Sequence, residues 1–298
     1  MPVRRLLASL LKDPPPGFVF ELSEAGIAVA RNAKPWQLGF RPIEPDVISV
    51  SPVRDNVLRL EALTAEVRGL APRLEGRKRH RVVLIIPDGS ARISVLDFDA
   101  FPSEPEQQAP LVRFRIKKSL PYDVESASLS YYTQAGGGNG KRLDVVVAVA
   151  PLEVVSRYEA PFRAAGFHPG LVTTSTLATL PLVRGAGLMV LVKLTGRVLT
   201  ISLLERGALK LLRTIELAEV ETAEVLAHLH PTFAYAEDQL ATRPEQVLIC
   251  GFGPLTEAAR VWFEEELGVP VEQAHSRLGV PEQHNAGLLG YLEAMEGA

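Results

Sequence analysis

FVFELSEAGIAVARNA, residues 18–33, places apolar runs on both sides of the polar knot Glu21-Leu22-Ser23-Glu24-Ala25-Gly26. Short apolar runs broken by Ser, Glu and Gly read as strand, tight turn, strand. The same plan returns in LMVLVKLTGRVLTISLLERGALKLLRTIEL, residues 188–217, as three strands joined at Thr195-Gly196-Arg197 and Glu205-Arg206-Gly207. In the second half a helix, ETAEVLAHLHPTFAYAEDQLA, follows, then the strand QVLIC, the turn GFGP and the helix LTEAARVWFEEELG. The first half has a hairpin, a strand and an amphipathic helix around 53–74, so the order marks a duplicated α/β plan.

Between the halves, residues 80–170 alternate strands and helices with an apolar set of their own, which reads as an inserted α/β module. The expected divisions are an N-terminal extension at 1–16, a first lobe at 17–79, the module at 80–170 and a first-lobe helix and link at 171–187. A second lobe at 188–280 and a C-terminal helix at 281–298 complete the chain.

Composition excludes several classes. The 298 residues are 47% hydrophobic and carry a net charge of -3, which suits a globular core and gives no whole-protein reason to expect nucleic acid. No apolar run approaches the roughly 20 residues that span a bilayer. The lone Cys250 sits in the apolar run QVLICGFG, so it is expected in the core of a protein from a reducing compartment. MPVRRLLASLLKD at the start puts Leu6, Leu7, Leu10 and Leu11 on one helical face beside Arg4, Arg5 and Lys12. Its apolar part is broken by Ser9, ends at Lys12-Asp13 and runs into Pro14-Pro15-Pro16 without a small-residue cleavage site, so it is expected to be retained and to dock on the body rather than on lipid.

Three motifs fail on inspection. AGGGNGKR lacks the first glycine and the final Ser or Thr of a phosphate-binding loop, because Ala135 and Arg142 stand there. GFGPLT has Thr256 where a dinucleotide fingerprint needs glycine. His228 and His230, two apart, point away from each other on a helix and form no metal set.

The sequence resembles the type IV pilus assembly protein PilM family, a branch of the actin-like ATPases that also contains the cell-division protein FtsA. The resemblance rests on FVFELSEAGIAVARN, LVRFRIKKSLPYDVESASLSYY, DVVVAVAPLEVVSRYEAPFRAAGFHPGLVTTSTLATL and VLICGFGPLTEAARVWFEEELGVPVEQA, which follow the family's order over nearly the whole chain. It implies an actin-like, ribonuclease H-like duplicated fold of two lobes, with a small subdomain inserted in the first. The second-lobe subdomain that covers the adenine is expected to be cut down, because the link from RTIEL to Cys250 is short. It also implies ATP and magnesium in the cleft, a cytoplasmic position at the inner membrane, and a partner in the cytoplasmic tail of a PilN-like membrane protein alongside other pilus platform or motor proteins.

Against that family pattern the phosphate-binding turns are altered. Where the superfamily reads D-I-G-[ST], this chain has Glu21, Ser23 and Glu24 in place of the Asp, the Gly and the hydroxyl residue, and Ala28 where Lys is frequent. A carboxylate within ~4 Å of a phosphate oxygen repels it by about 1 kcal/mol even in water. The second-lobe turn, expected as D-x-G, reads Lys193-Leu194-Thr195-Gly196, and an ammonium cannot ligate magnesium. Lys193 is expected either to meet phosphate or to form an ion pair between the lobes with Glu21 or Glu24. Gly251 and Gly253 keep the shape of an adenosine-side turn, with Phe252 between them. The expectation is a degenerate nucleotide site, no catalytic residue, no bound metal and no ATPase activity, the alternative being an ATP-binding protein with a rearranged site.

The partner groove is expected beside the module. RVVLIIP and ISVLDF would offer a strand edge, and the basic helix carrying Phe114, Arg115 and Lys118 would form its rim. The function so read is a scaffold of a type IV pilus or related secretion platform, peripheral to the membrane at most.

Overall fold

The computed structural model describes residues 16–70, 80–135 and 143–297, so the leucines of the N-terminal extension and the AGGGNGKR loop after Ala135 lie outside it. The chain runs β1 (Phe18–Ser23), β2 (Gly26–Arg31), β3 (Gln37–Pro42), α1 (Leu60–Leu70), β4 (His80–Ile86), β5 (Arg92–Phe98), α2 (Pro105–Ile116), β6 (Ala127–Ala135), β7 (Leu143–Pro151), α3 (Leu152–Ala164) and β8 (Phe167–Thr174). It continues through α4 (Ser175–Thr179), β9 (Leu188–Thr195), β10 (Val198–Glu205), β11 (Ala208–Glu216), α5 (Thr222–Leu240), β12 (Gln246–Cys250), α6 (Thr256–Leu267), β13 (Val271–Gln273) and α7 (Ala286–Glu296).

Two five-stranded sheets have corresponding orders, β3-β2-β1-β4-β8 and β11-β10-β9-β12-β13. In each, an antiparallel meander of three strands is joined to two parallel strands. This is the duplication expected from the hairpins at 18–33 and 188–217. The first sheet buries Phe20 against Phe162 and Phe167, with ring centroids 5.0 and 5.4 Å away. Such aromatic pairs add about 0.5–1.5 kcal/mol each beyond their buried area.

The inserted module is smaller than the expected 80–170. β4 pairs with β1 and β8, so both ends of that interval belong to the first-lobe sheet. The separate sheet has the order β5-β7-β6. DVVVAVA in β7 is buried on both sides: Val145, Val147 and Val149 pack on Val112 and Ile116 of α2. Val146 and Ile93 join Leu191, Leu209 and Leu212 of the second lobe. An apolar run with no polar alternation is what a strand covered on both faces requires. RVVLIIP, flanked by β1 and β8, is a central strand and offers no edge, which corrects that half of the expected groove, whereas ISVLDF in β5 ends the module sheet.

The C-terminal helix α7 follows the second lobe in sequence but packs in the first. Leu288, Leu289 and Leu292 lie against Val19, Ala28, Ala30, Val83 and Ile85 of that sheet. Among the described residues no helix is long and apolar enough to cross a membrane.

Candidate functional site: the interlobe cleft

The strands of both lobes end at a common cleft, the place where α/β sheets present ligand-binding groups. Its floor is set by three buried ionisable side chains. Glu21 points from β1 to the start of α7, where its carboxylate accepts the backbone N–H of Leu288 at 2.7 Å and of Gly287 at 3.3 Å. It also accepts the Ser175 hydroxyl from α4. The first N–H groups of a helix lack intrahelical partners and favour negative charge, so the carboxylate occupies an anion position with the chain's own oxygen. Burial raises the Glu21 carboxyl above its usual value, against the pull of the Lys193 ammonium and these three donors.

Asp88 stands just past β4, in the turn Asp88–Ser90. It accepts the Thr176 N–H and hydroxyl, both at 2.7 Å, and meets the Lys193 ammonium of β9 at 3.0 Å. Thr195 takes a second Lys193 proton at 2.8 Å. Burial alone would lower the pKa of Lys193, but the carboxylates of Asp88 and then Glu21 hold it above the ordinary lysine value. The interlobe ion pair expected of Lys193 thus exists, with Asp88 rather than with Glu21 or Glu24 as direct partner. Glu24 is exposed at the hairpin tip and accepts the Val50 N–H at 2.8 Å. Ser23 closes its own turn, with its hydroxyl 3.1 Å from the Gly26 carbonyl.

These groups do not fit magnesium and a phosphate chain. The Glu21 oxygens are taken by helix N–H groups, and the Asp88 carboxylate is neutralised by an ammonium that cannot ligate a metal. At the Gly251–Gly253 turn, Phe252 is buried in the second-lobe core with its ring 6.0 Å from that of Phe263. Thr195 and Gly196 form the β9–β10 turn, and Gly251 and Gly253 flank Phe252. Cys250 is buried, and burial pushes its thiol up to about 12.

Asp88 carries no signal beyond a turn in the motif Pro87-Asp88-Gly89, where Asp is common. The feature that could have exposed it is position: a carboxylate at the carboxyl end of a buried strand in an α/β sheet.

The cleft opens into a cavity of about 1090 Å³. Its outer part lies between the first-lobe loop at Ile48 and Val50, the module at Ile93, Pro121 and Tyr122, and Leu212 and Thr214 of β11. β11 is an edge strand. The Leu217 N–H bonds the Arg197 carbonyl at 2.8 Å, and pairing to β10 proceeds through Ile215 and Arg213. By alternation the backbone groups of Leu212 and Thr214 point away from β10, into the cavity. Further along, the Gln134 side-chain amide takes both backbone groups of Leu209, and Lys210 meets Asp144 at 2.9 Å, fastening the module to this edge. Phe114 and Arg115 lie elsewhere, on the outer face of α2, with Lys118 in the short turn Lys117–Ser119 that follows it. Arg115 is held on its own module, 3.0 Å from the Asp97 carbonyl and 5.2 Å over the Phe98 ring, while Phe114 and Lys118 face solvent.

No family model matches the sequence, and no curated protein matches it. Solved structures do. A PilM-PilN type IV pilus biogenesis complex aligns with a TM-score of 0.76 at 17% identity, covering 96% of this chain and 99% of that one. A Bacteroides thetaiotaomicron protein described as having an actin-like ATPase fold aligns with a TM-score of 0.52 at 14% identity, covering 86% and 90%. The cytoplasmic domain of EpsL, an inner membrane component of the type II secretion system of Vibrio cholerae, aligns with a TM-score of 0.51 at 11% identity, covering 94% of each chain. The fold is actin-like.

Proposed function

We propose that this chain is a PilM-like scaffold of a type IV pilus or related secretion platform. It sits at the cytoplasmic face of the inner membrane, holds the cytoplasmic tail of a PilN-like protein, and works without hydrolysing ATP. The likeness to the PilM-PilN complex over nearly all of both chains supports the platform role. The Asp88–Lys193 pair supports independence from nucleotide, because it supplies inside the protein the charge pairing that magnesium and phosphate would bring.

The observation that carries the binding role is the backbone edge of β11 inside the large cavity. An extended peptide gains affinity by pairing its main chain with such an edge and placing alternate side chains in pockets. Leu212 and Thr214 supply the edge, while Ile48, Ile93 and Tyr122 supply apolar walls. The tail is captured here rather than on the outer face of α2.

Thr214→Pro tests this. Proline is tolerated on an edge strand when its missing N–H faces outward, so the variant keeps the fold but deletes a donor and blocks strand addition. Fluorescence anisotropy with a labelled peptide of the cognate PilN-like N-terminal tail is expected to show at least ~10-fold weaker binding, equivalent to about 1.4 kcal/mol. A wild-type protein that ignores the peptide, or binding equal in the two proteins, counts against the assignment.

A further inference from the structure

We propose that β3 is a self-association edge, at which two copies of the chain pair antiparallel about a two-fold axis through Gly39. β3 ends the first-lobe sheet, and all six of its residues are exposed, including Leu38 at 45% and Phe40 at 47%. An exposed edge whose outward-paired residues, Leu38 and Phe40, are apolar is a template for another strand. No residue of β3 lines the β11 cavity, although His284 lines both cavities, and the proposal does not rest on tail capture.

The backbone directions follow from the register. The Ile43 N–H bonds the Ala25 carbonyl at 3.1 Å, and β3 pairs with β2 through Arg41↔Ile27, Gly39↔Val29 and Gln37↔Arg31. Hydrogen-bonded pairs recur at every second residue, so Arg41, Gly39 and Gln37 turn their backbone groups toward β2. Leu38 and Phe40 turn theirs outward. Among the described residues no strand pairs with them there.

Their side chains share the face that looks toward α7. Phe40 lies opposite Ala28 and Leu38 opposite Ala30, and both alanines belong to the cluster packed on α7. On that face a cavity of about 340 Å³ is lined by Leu38, Phe40, His284, Leu288 and Leu289. The Phe40 ring stacks on the His284 imidazole with centroids 5.5 Å apart and a 22° interplanar angle, so one wall is fixed before any partner arrives.

A second copy fits this edge in a defined register. With the axis at Gly39, Leu38 of one copy faces Phe40 of the other, and each pair exchanges both of its backbone hydrogen bonds. The Leu38 side chain of each copy then lies beside the Phe40-lined cavity of its partner. Charge agrees: Gln37 to Phe40 carry none, and Arg41, which would face Gln37 across the axis, is paired with Glu66 at 2.6 Å. Pro42 has no N–H and ends the ladder. The contact is isologous, so it closes at a dimer and joins the two first-lobe sheets.

Gly39→Cys reads the register directly. The two Gly39 residues would form a non-hydrogen-bonded pair with Cα atoms about 4.5 Å apart, within the roughly 4.4–6.8 Å that a disulfide spans. A Cβ at Gly39 meets only the Val29 side chain, at 3.5 Å, so the variant keeps its fold. Cys250 is buried and does not compete. On mild oxidation of the full chain Gly39→Cys is expected to form a covalent dimer, and Leu38→Cys far less of one. Sedimentation of the unmodified chain is expected to show a monomer–dimer equilibrium that Phe40→Lys weakens by at least ~10-fold. A monomer at high micromolar concentration, a dimer indifferent to Phe40→Lys, or equal cross-linking of Gly39→Cys and Leu38→Cys would each overturn the proposal.

Discussion

Lys193→Met is expected to lower the unfolding free energy by about 3–5 kcal/mol, the cost of leaving one member of a buried ion pair without its partner. Both side chains are almost wholly enclosed, with 1% of Lys193 and 5% of Asp88 exposed, so water cannot take the place of the ammonium. The loss strands two carboxylates, since Glu21 also feels the Lys193 charge. Adding Asp88→Asn removes one of them while keeping an acceptor for the Thr176 N–H. The double variant should therefore recover a substantial part of the loss. Urea unfolding of the single and double variants measures both numbers. A single-variant loss below ~1 kcal/mol, the range of a solvated pair, would show that the pair does not hold the lobes together.

Gly251→Ala is expected to cost about 3 kcal/mol, combining left-handed strain of ~1–2 kcal/mol with overpacking of ~1–3 kcal/mol. The residue has φ +79°, and an added Cβ would lie 2.1 Å from the Leu194 carbonyl oxygen of β9. Gly253 has φ +52° but nothing within 4 Å, so Gly253→Ala should cost only the strain, about 1 kcal/mol. Were the GFG turn kept for a ligand, the two glycines would differ in binding rather than in stability. Thermal unfolding in the absence of any nucleotide separates the cases, and equal losses would remove the packing explanation.

The duplicated hairpins were legible because an apolar strand, a Gly-containing turn and a second apolar strand recur with the same polarity at 18–33 and 188–217. Lys193 was legible too, as a charge inside the otherwise apolar MVLVKL. Its partner was not. Asp88 lies 105 residues away and is joined to Lys193 only by the closure of two lobes. The module limits were misplaced because β4 and β8, which bracket the insertion in sequence, are neighbours in the first-lobe sheet. A continuous apolar run such as RVVLII indicates a central strand, which places it away from any edge. Glu21 was read for what it would repel, whereas its role comes from α7, whose return to the first lobe no local pattern encodes. Helix α2 drew notice through its charges, while the β11 edge proposed for the tail is made of backbone and leaves no mark in the residue types.

If Glu21, Asp88 and Lys193 close the cleft in place of nucleotide, magnesium-ATP finds no site there. Calorimetric titration of this chain with magnesium-ATP measures this. No binding heat is expected at protein concentrations that would reveal micromolar affinity. A saturable isotherm with a micromolar Kd would contradict it and establish an actin-like ATP-binding protein with a rearranged site.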